Sequence, residues 1–149
     1  MSDFSNAINQ ELHDRVFILL YQREFRNDPI DILNEMTFAN NFVMLPINAP
    51  VIRLTEEILA RKQDLDAIIE KFLVNWTMER ITTSDKEVLR IGIFQLLFRP
   101  EQDPRIVIDR AVRIAKKYGD KDSGKFVNGL LGAIYRKHLE EQSIQNSDA

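Results

Sequence analysis

Apolar side chains recur at helical spacing along most of the chain, and the alternating runs that are typical of β-hairpins do not occur. The pattern predicts a first helix from about Asn6 to Arg26, ended by Asn27-Asp28-Pro29, and a second helix from Ile30 to about Phe42. Pro46 and Pro50 bracket a predicted loop. The sequence therefore predicts an all-α fold.

The next apolar positions, between Leu54 and Leu73, predict either one long helix or two short ones. Further along, Ser84 and Glu87 have the spacing of a capping box, in which each side chain satisfies a free amide at the start of a helix. That helix is expected to end at Phe98.

The last third of the chain predicts two more helices. Asp103-Pro104 is typical of a helix start, and the helix from Arg105 to Lys117 is expected to end at Gly119, a residue that tolerates the left-handed conformation. A final helix is predicted from near Asp122 to about Glu141. The polar tail 142–149 is predicted to be disordered, which leaves residues 1–141 as a single helical domain.

Composition limits the class of protein further. The chain has 149 residues and no cysteine, so it has no disulfide framework and is expected to lie in a reducing, cytoplasmic compartment. Its apolar runs are well short of the about twenty residues needed to cross a bilayer, so we expect no membrane association. The net charge is only −3, but residues 105–137 contain nine Lys or Arg against three acids, which favours an anionic partner for that segment.

Catalytic patterns are not found in the sequence. The two histidines, His13 and His138, are far apart and are interpreted as lying on solvated faces, and no glycine-rich phosphate loop or nucleophile elbow occurs. Acids near the predicted helix start at Ser84 are explained by capping and the helix dipole. Trp76 is interpreted as a core residue more readily than as a stacking platform. We therefore expect no enzyme activity, no bound metal and no cofactor.

Three segments together carry a family resemblance. Residues 85–96 read Asp-Lys-Glu-Val-Leu-Arg-Ile-Gly-Ile-Phe-Gln-Leu, residues 104–119 form the next predicted helix, and Lys-Phe-Val-Asn-Gly follows at 125–129. In this order and spacing they resemble the C-terminal half of NusB, a family of bacterial transcription antitermination factors. Leu20-Tyr21-Gln22 is similar to the family's first-helix signature. The strong similarity covers roughly Thr82 to Leu139.

The resemblance implies a fold and a function. It implies two small helical bundles packed into one compact domain. It also implies a non-enzymatic factor that binds boxA-type single-stranded RNA of ribosomal RNA transcripts together with the small-subunit ribosomal protein NusE, within the antitermination complex of RNA polymerase. Members of the family occur as a monomer or homodimer, and the sequence leaves that choice open.

The resemblance also implies an RNA-facing surface, with the protein partner contacting the region around the helix that begins at Asp85. The RNA-facing residues would be Tyr21, Arg90, Tyr118, Asp122, Lys125 and Phe126. Each has an alternative role. Tyr21 and Phe126 could be core residues, Tyr118 could be a hydrophobic cap and Asp122 a helix N-cap. Arg90 could form an internal ion pair with a carboxylate such as Asp109.

Two features differ from the family pattern. The family's first helix opens with an arginine-rich run, whereas residues 9–14 here are Asn-Gln-Glu-Leu-His-Asp. Arg110 and Arg113 lie where the family tends to carry acids. The phosphate contacts could therefore have moved from the first helix to the helix predicted from Arg105 to Lys117. Alternatively, both arginines are solvated and pair with acids such as Asp109. The missing run supports an alternative function, a protein-only module that keeps NusE and binds RNA weakly or not at all.

Overall fold

The computed structural model describes residues 3–38, 47–74 and 76–147. Within these ranges the secondary structure consists of seven α-helices and one short 3₁₀ helix, with no strand. The all-α prediction is confirmed. The chain divides into two compact units, Met1–Lys62 and Gln63–Ala149, which we call unit 1 and unit 2.

Unit 1 contains three helices that pack against one another: α1 (Asp3–Arg23), α2 (Ile30–Phe38) and α3 (Asn48–Ala60). They pack because each carries apolar residues three or four positions apart, which form one face of a helix. The buried positions include Val16, Leu19 and Leu20 of α1, Leu33 of α2, and Val51 and Ile58 of α3.

The helix boundaries of unit 1 differ in part from those predicted. α1 ends at Arg23, three residues early, and α2 is described only as far as Phe38; residues 39–46, including Pro46, lie outside the described part. Pro50 lies in the first turn of α3, so the predicted loop at that position is wrong. A proline is tolerated there because amides of the first turn have no partner within the helix.

Unit 2 contains α5 (Thr83–Phe98), α6 (Pro104–Tyr118) and α7 (Ser123–Ser147), which contact one another in pairs, preceded by a 3₁₀ helix (Met78–Arg80). α4 (Lys62–Phe72) begins at the last residue of unit 1, and the break at Arg61 means that the apolar stretch from 54 to 73 forms two helices. Every residue from Val88 to Leu96 is buried, so α5 lies at the centre of unit 2.

Close packing of α5 against α7 depends on Gly92. A Cβ added there would lie 2.6 Å from Cδ1 of Leu131, a fully buried side chain of α7. The sequence alone also favours an assignment of Gly129 to close helix packing, as a small residue that lets another helix approach, but Gly129 has open space on the side where a Cβ would stand, with no neighbouring atom within 4 Å. That assignment is therefore wrong.

The caps of unit 2 differ from prediction at two places. The α5 cap is Thr82, whose hydroxyl accepts a hydrogen bond from the Asp85 amide at 3.2 Å, so the capping box at Ser84 and Glu87 is wrong. Gly119 has φ −96°, outside the left-handed region, and is needed for another reason: a Cβ there would lie 2.7 Å from the Ala115 carbonyl. The Asp103 cap of α6 is confirmed, since its carboxylate accepts from the Arg105 amide.

Three further expectations are not met. Trp76 is 58% exposed and is not a core residue, whereas His13 is buried, with its ring next to the Asn9 carbonyl. α7 continues through residues 142–147, where the sequence predicted a disordered tail; residues 148 and 149 lie outside the described part. Among the described helices, none has the length and apolar character needed to cross a membrane.

Candidate nucleic-acid interface

The end of α6 and the start of α7 bring cations and aromatic rings together on one part of unit 2. Tyr118, the last residue of α6, is 37% exposed, and Nζ of Lys117 lies 5.3 Å from its ring centroid. The side chains of Asp122 and Lys125 are exposed, and Phe126 is half-buried. We call this set the α6–α7 surface: Lys116, Lys117, Tyr118, Lys121, Asp122, Lys125 and Phe126.

The short connection between the two helices holds this surface in place through its own hydrogen bonds. The Gly119 amide donates to the Ala115 carbonyl at 2.8 Å, and the Asp120 amide donates to Oγ of Ser123 at 3.1 Å. The Asp122 amide donates to Oδ1 of Asp120 at 2.8 Å. The turn therefore fixes Asp122 immediately before α7, and its carbonyl accepts from the Phe126 amide while its carboxylate stays accessible.

The electrostatics of the α6–α7 surface favour an anion. Four exposed lysines lie between positions 116 and 125, against the two acids at 120 and 122, which gives an excess of two positive charges. Single-stranded nucleic acid is held by cations that neutralise phosphates and by rings on which bases stack. This surface offers both groups within eleven consecutive residues, 116–126.

Tyr21 belongs to the other unit. It lies near the end of α1, is 40% exposed, and has its ring centroid 5.3 Å from that of Phe25. Tyr21 is therefore neither buried in the core nor fully exposed. Phe25 was not among the aromatic residues that the sequence predicts to face RNA. Its spacing of four residues from Tyr21, just before the predicted end of the helix, is the signal that could have indicated the ring contact.

Arg90, predicted to face RNA, is 5% exposed, so that assignment is corrected. Its guanidinium donates to both carboxylate oxygens of Asp66 in α4, at 2.7 and 2.9 Å, and pairs with Glu87 one turn earlier in α5. Burial alone would lower the pKa of Arg90, but these two carboxylates raise it above its usual value. The internal ion pair considered from sequence exists, with Asp66 and Glu87 in place of Asp109.

Asp85, predicted to contact the protein partner, is also corrected, because its side chain is 8% exposed. Burial and the negative charge of Asp120 raise the pKa of the Asp85 carboxyl, while the hydroxyls of Ser123 and Thr82 lower it in part. Oδ1 of Asp85 has no hydrogen-bond partner among the described residues. Asp85 thus lies inside unit 2, where the first turn of α5 approaches Ser123 of α7.

The two arginines of α6 have different environments. Arg113 is exposed and donates to Oδ2 of Asp109 at 3.0 Å, an exposed pair one helical turn apart. Arg110 is half-buried, and burial lowers its pKa while the charge of Asp109 opposes that shift. The expected pairing with Asp109 is therefore present at Arg113.

The first cation of α1 does not reach solvent. Arg15 is buried, donates to Oε1 of Glu11 at 2.9 Å, and lies over the Phe38 ring with its Cζ 4.6 Å from the centroid. Since the sequence has no Lys or Arg before it, the first fifteen residues provide no accessible cationic side chain. The arginine-rich anchor expected for the family is missing in the structure as well as in the sequence.

No group of three or more His, Cys, Asp or Glu side chains in the described ranges could hold a metal ion. The fold and the α6–α7 surface together define an all-α protein that presents a cationic surface with an exposed ring, which suits an anionic partner.

Comparison with known proteins identifies the family. The NusB family model matches residues 13–136. The transcription antitermination protein NusB of Fervidobacterium nodosum is 33% identical over 133 residues, which cover 89% of this chain and 94% of that protein. The corresponding protein of Aquifex aeolicus is 31% identical over 127 residues, 85% of this chain and 86% of the relative.

Solved structures agree with the sequence comparisons. NusB of T. maritima has a TM-score of 0.78 at 29% identity, covering 91% of this chain and 96% of that one. A crystal structure of the antitermination factors NusB and NusE in complex with double-stranded RNA matches with a TM-score of 0.76 at 29% identity, covering 87% and 96% of the two chains. The chain belongs to the NusB family of transcription antitermination factors, which are not enzymes. The predicted family is confirmed.

Proposed function

We propose that this protein acts with a NusE-type ribosomal protein to bind boxA-type single-stranded RNA of ribosomal RNA transcripts, within the antitermination complex of RNA polymerase. The observation that carries the proposal is the α6–α7 surface, because it combines accessible lysines with the exposed ring of Tyr118 and the half-buried ring of Phe126. The solved relative that contains NusB, NusE and RNA supports both classes of partner.

The RNA in that relative is double-stranded, whereas the contacts available here favour an unpaired strand. Exposed rings contribute little to a duplex, whose bases are already stacked, and they contribute most when bases are splayed out. Tyr118 is therefore proposed to stack on a base, with Phe126 forming the edge of the same contact. Lys125 would neutralise a phosphate, and the accessible carboxylate of Asp122 would accept a hydrogen bond from a base amino group.

Tyr21, Arg110 and Arg113 complete the proposed RNA contacts. Tyr21 would offer a second stacking ring. Arg113 could exchange its exposed partner Asp109 for a phosphate at little cost, since exposed ion pairs contribute only about 0–1 kcal/mol. Arg110 is a weaker candidate because it is half-buried.

A second candidate function follows from Arg15. Because that arginine is buried against Glu11 and Phe38, α1 lacks the cationic anchor, and the protein alone would hold RNA less tightly than a family member that has it. In this alternative the chain is a protein-only module that binds NusE and contributes no RNA contact.

Titration of labelled boxA RNA distinguishes the two functions. Three samples are titrated into the RNA: this protein alone, this protein with NusE, and NusE alone. Each titration is carried out at two salt concentrations. The proposal predicts that the pair binds RNA more tightly than NusE alone and that added salt weakens the binding. A control RNA of equal length and scrambled sequence tests whether boxA is preferred. Equal affinity of NusE with and without this protein, alongside a stable protein–NusE complex, would support the protein-only module.

A further inference from the structure

Phe25 is the most exposed aromatic side chain among those whose burial the structure describes, at 68%. It follows α1 directly and is not part of a loose tail. The Phe25 amide donates to the Gln22 carbonyl at 3.0 Å, and the amides of Glu24 and Arg26 donate to the carbonyls of Tyr21 and Gln22. A large apolar ring is therefore mostly exposed to solvent, on a turn whose backbone is held by hydrogen bonds.

The ring belongs to an ordered row of three. The buried Phe17 ring has its centroid 6.1 Å from that of Tyr21, and the Tyr21 centroid lies 5.3 Å from that of Phe25, with the last two planes inclined at 56°. The row runs from the core of unit 1 to solvent. Because Phe17 anchors the inner end, Tyr21 and Phe25 present their outer faces without needing to be ordered by a ligand.

The charges around these two rings suit a polyanion better than a neutral surface. Lys62 pairs with Glu24 at 3.1 Å and Arg26 pairs with Asp28 at 2.8 Å. Arg23 donates to the neutral side-chain oxygen of Asn27, so that contact leaves its charge uncompensated. Residues 21–28 together with Lys62 contain three cations and two acids, an excess of one positive charge.

We propose that Phe25 and Tyr21 form a stacking platform for an unpaired base of the bound RNA, with Arg23 facing the adjoining phosphate. The proposal rests on the proposed function and adds Phe25 to the RNA-binding residues. An exposed aromatic ring that packs against a second ring, with Arg23 two residues away in the sequence, matches the way single-stranded nucleic acid is bound without sequence readout. In this chain, which lacks the arginine-rich run at the start of the first helix, the platform would place the RNA contact of α1 at its C-terminal end.

The test compares three variants of Phe25 in boxA titrations with NusE present. Phe25→Ala should weaken binding about 5- to 150-fold, the range for loss of one stacked base. Phe25→Leu keeps an apolar side chain but removes the flat ring, so it should lose a similar amount, and Phe25→Trp should bind as well as wild type or better. The salt dependence should be unchanged in all three, because no phosphate contact is removed.

Met36→Ala is the matched control, since Met36 is also an exposed apolar side chain of unit 1 and should leave affinity unchanged. Wild-type affinity in Phe25→Ala overturns the inference alone. Wild-type affinity in Phe25→Leu with weak binding in Phe25→Ala also overturns it, because an apolar contact would then be sufficient. Absence of RNA binding by the wild-type protein with NusE removes the proposed function and the platform together.

Discussion

The Arg90 guanidinium lies between Asp66 of α4 and the fully buried Glu87 of α5. Replacement by Met removes the charge but keeps most of the apolar stem, and it leaves Glu87 charged without its cation. We expect Arg90→Met to lower the free energy of unfolding by about 3–5 kcal/mol, as measured by urea denaturation.

Arg113→Met is the matched control, because Arg113 also pairs with a carboxylate but in solvent. It should change stability by less than about 1 kcal/mol. Combining Arg90→Met with Glu87→Leu should recover part of the loss, since the uncompensated carboxylate is then removed. Equal stability of Arg90→Met and wild type would show that the buried network contributes nothing.

Single residues were predicted from sequence only where local spacing was informative. The apolar neighbours of Arg90 indicate that it needs a carboxylate partner, and Glu87 lies one helical turn away. Asp66 is 24 positions from Arg90, and no local pattern connects these two residues. Trp76 follows an apolar helix and precedes a loop, a position that favours the core, but an exposed tryptophan has the same local signature. Side-chain exposure depends on which elements pack together, and that information is not local.

At the level of elements, Gly119 and Gly129 are expected to respond in opposite ways to alanine. A Cβ at Gly119 would lie 2.7 Å from the Ala115 carbonyl, a backbone atom that cannot move aside without disturbing the end of α6. Gly119→Ala should therefore destabilise the protein by about 1–3 kcal/mol. Gly129 lies within α7 with open space around it, so Gly129→Ala should stabilise by up to about 1 kcal/mol.

Thermal unfolding of the two alanine variants beside wild type checks this pair. A melting temperature raised by Gly119→Ala would contradict the packing described for the α6–α7 connection, and one lowered by Gly129→Ala would contradict the open space described within α7. Circular dichroism at low temperature should show the same helix content in all three proteins, because neither change removes a helix.

Helices were easier to predict than their ends. Apolar spacing predicts each helix because the face that packs against the core must be apolar. The start of α6 could be predicted as well, because Asp103 caps the first turn and Pro104 is tolerated there. The α5 start was misplaced because Thr82 and Ser84 are both capping residues, and only the backbone geometry distinguishes them. The end of α7 was misplaced for another reason: polar residues 142–147 can continue a helix that is already formed.

For the whole molecule, family membership could be predicted because three C-terminal segments keep their order and spacing, and the family match over residues 13–136 confirms it. Which side chains are exposed could not be predicted in the same way. Arg90 and Asp85 carry the family pattern yet are buried, whereas Phe25 does not belong to that pattern and is exposed. Membership therefore supports the class of partner that we propose, and the choice of residues in that proposal rests on the side-chain exposure in the structure.

The lysines of the α6–α7 surface are proposed to contact RNA phosphates. The most direct measurement is the slope of log affinity against log salt for labelled boxA RNA, with NusE present, in wild type and in the triple variant Lys117→Ala, Lys121→Ala, Lys125→Ala. We predict a slope shallower by about 2 in the variant, since each phosphate contact on a single strand contributes about 0.7. Lys71→Ala, an exposed lysine of α4, should keep the wild-type slope. A triple variant with the wild-type slope would show that these lysines do not contact RNA phosphates.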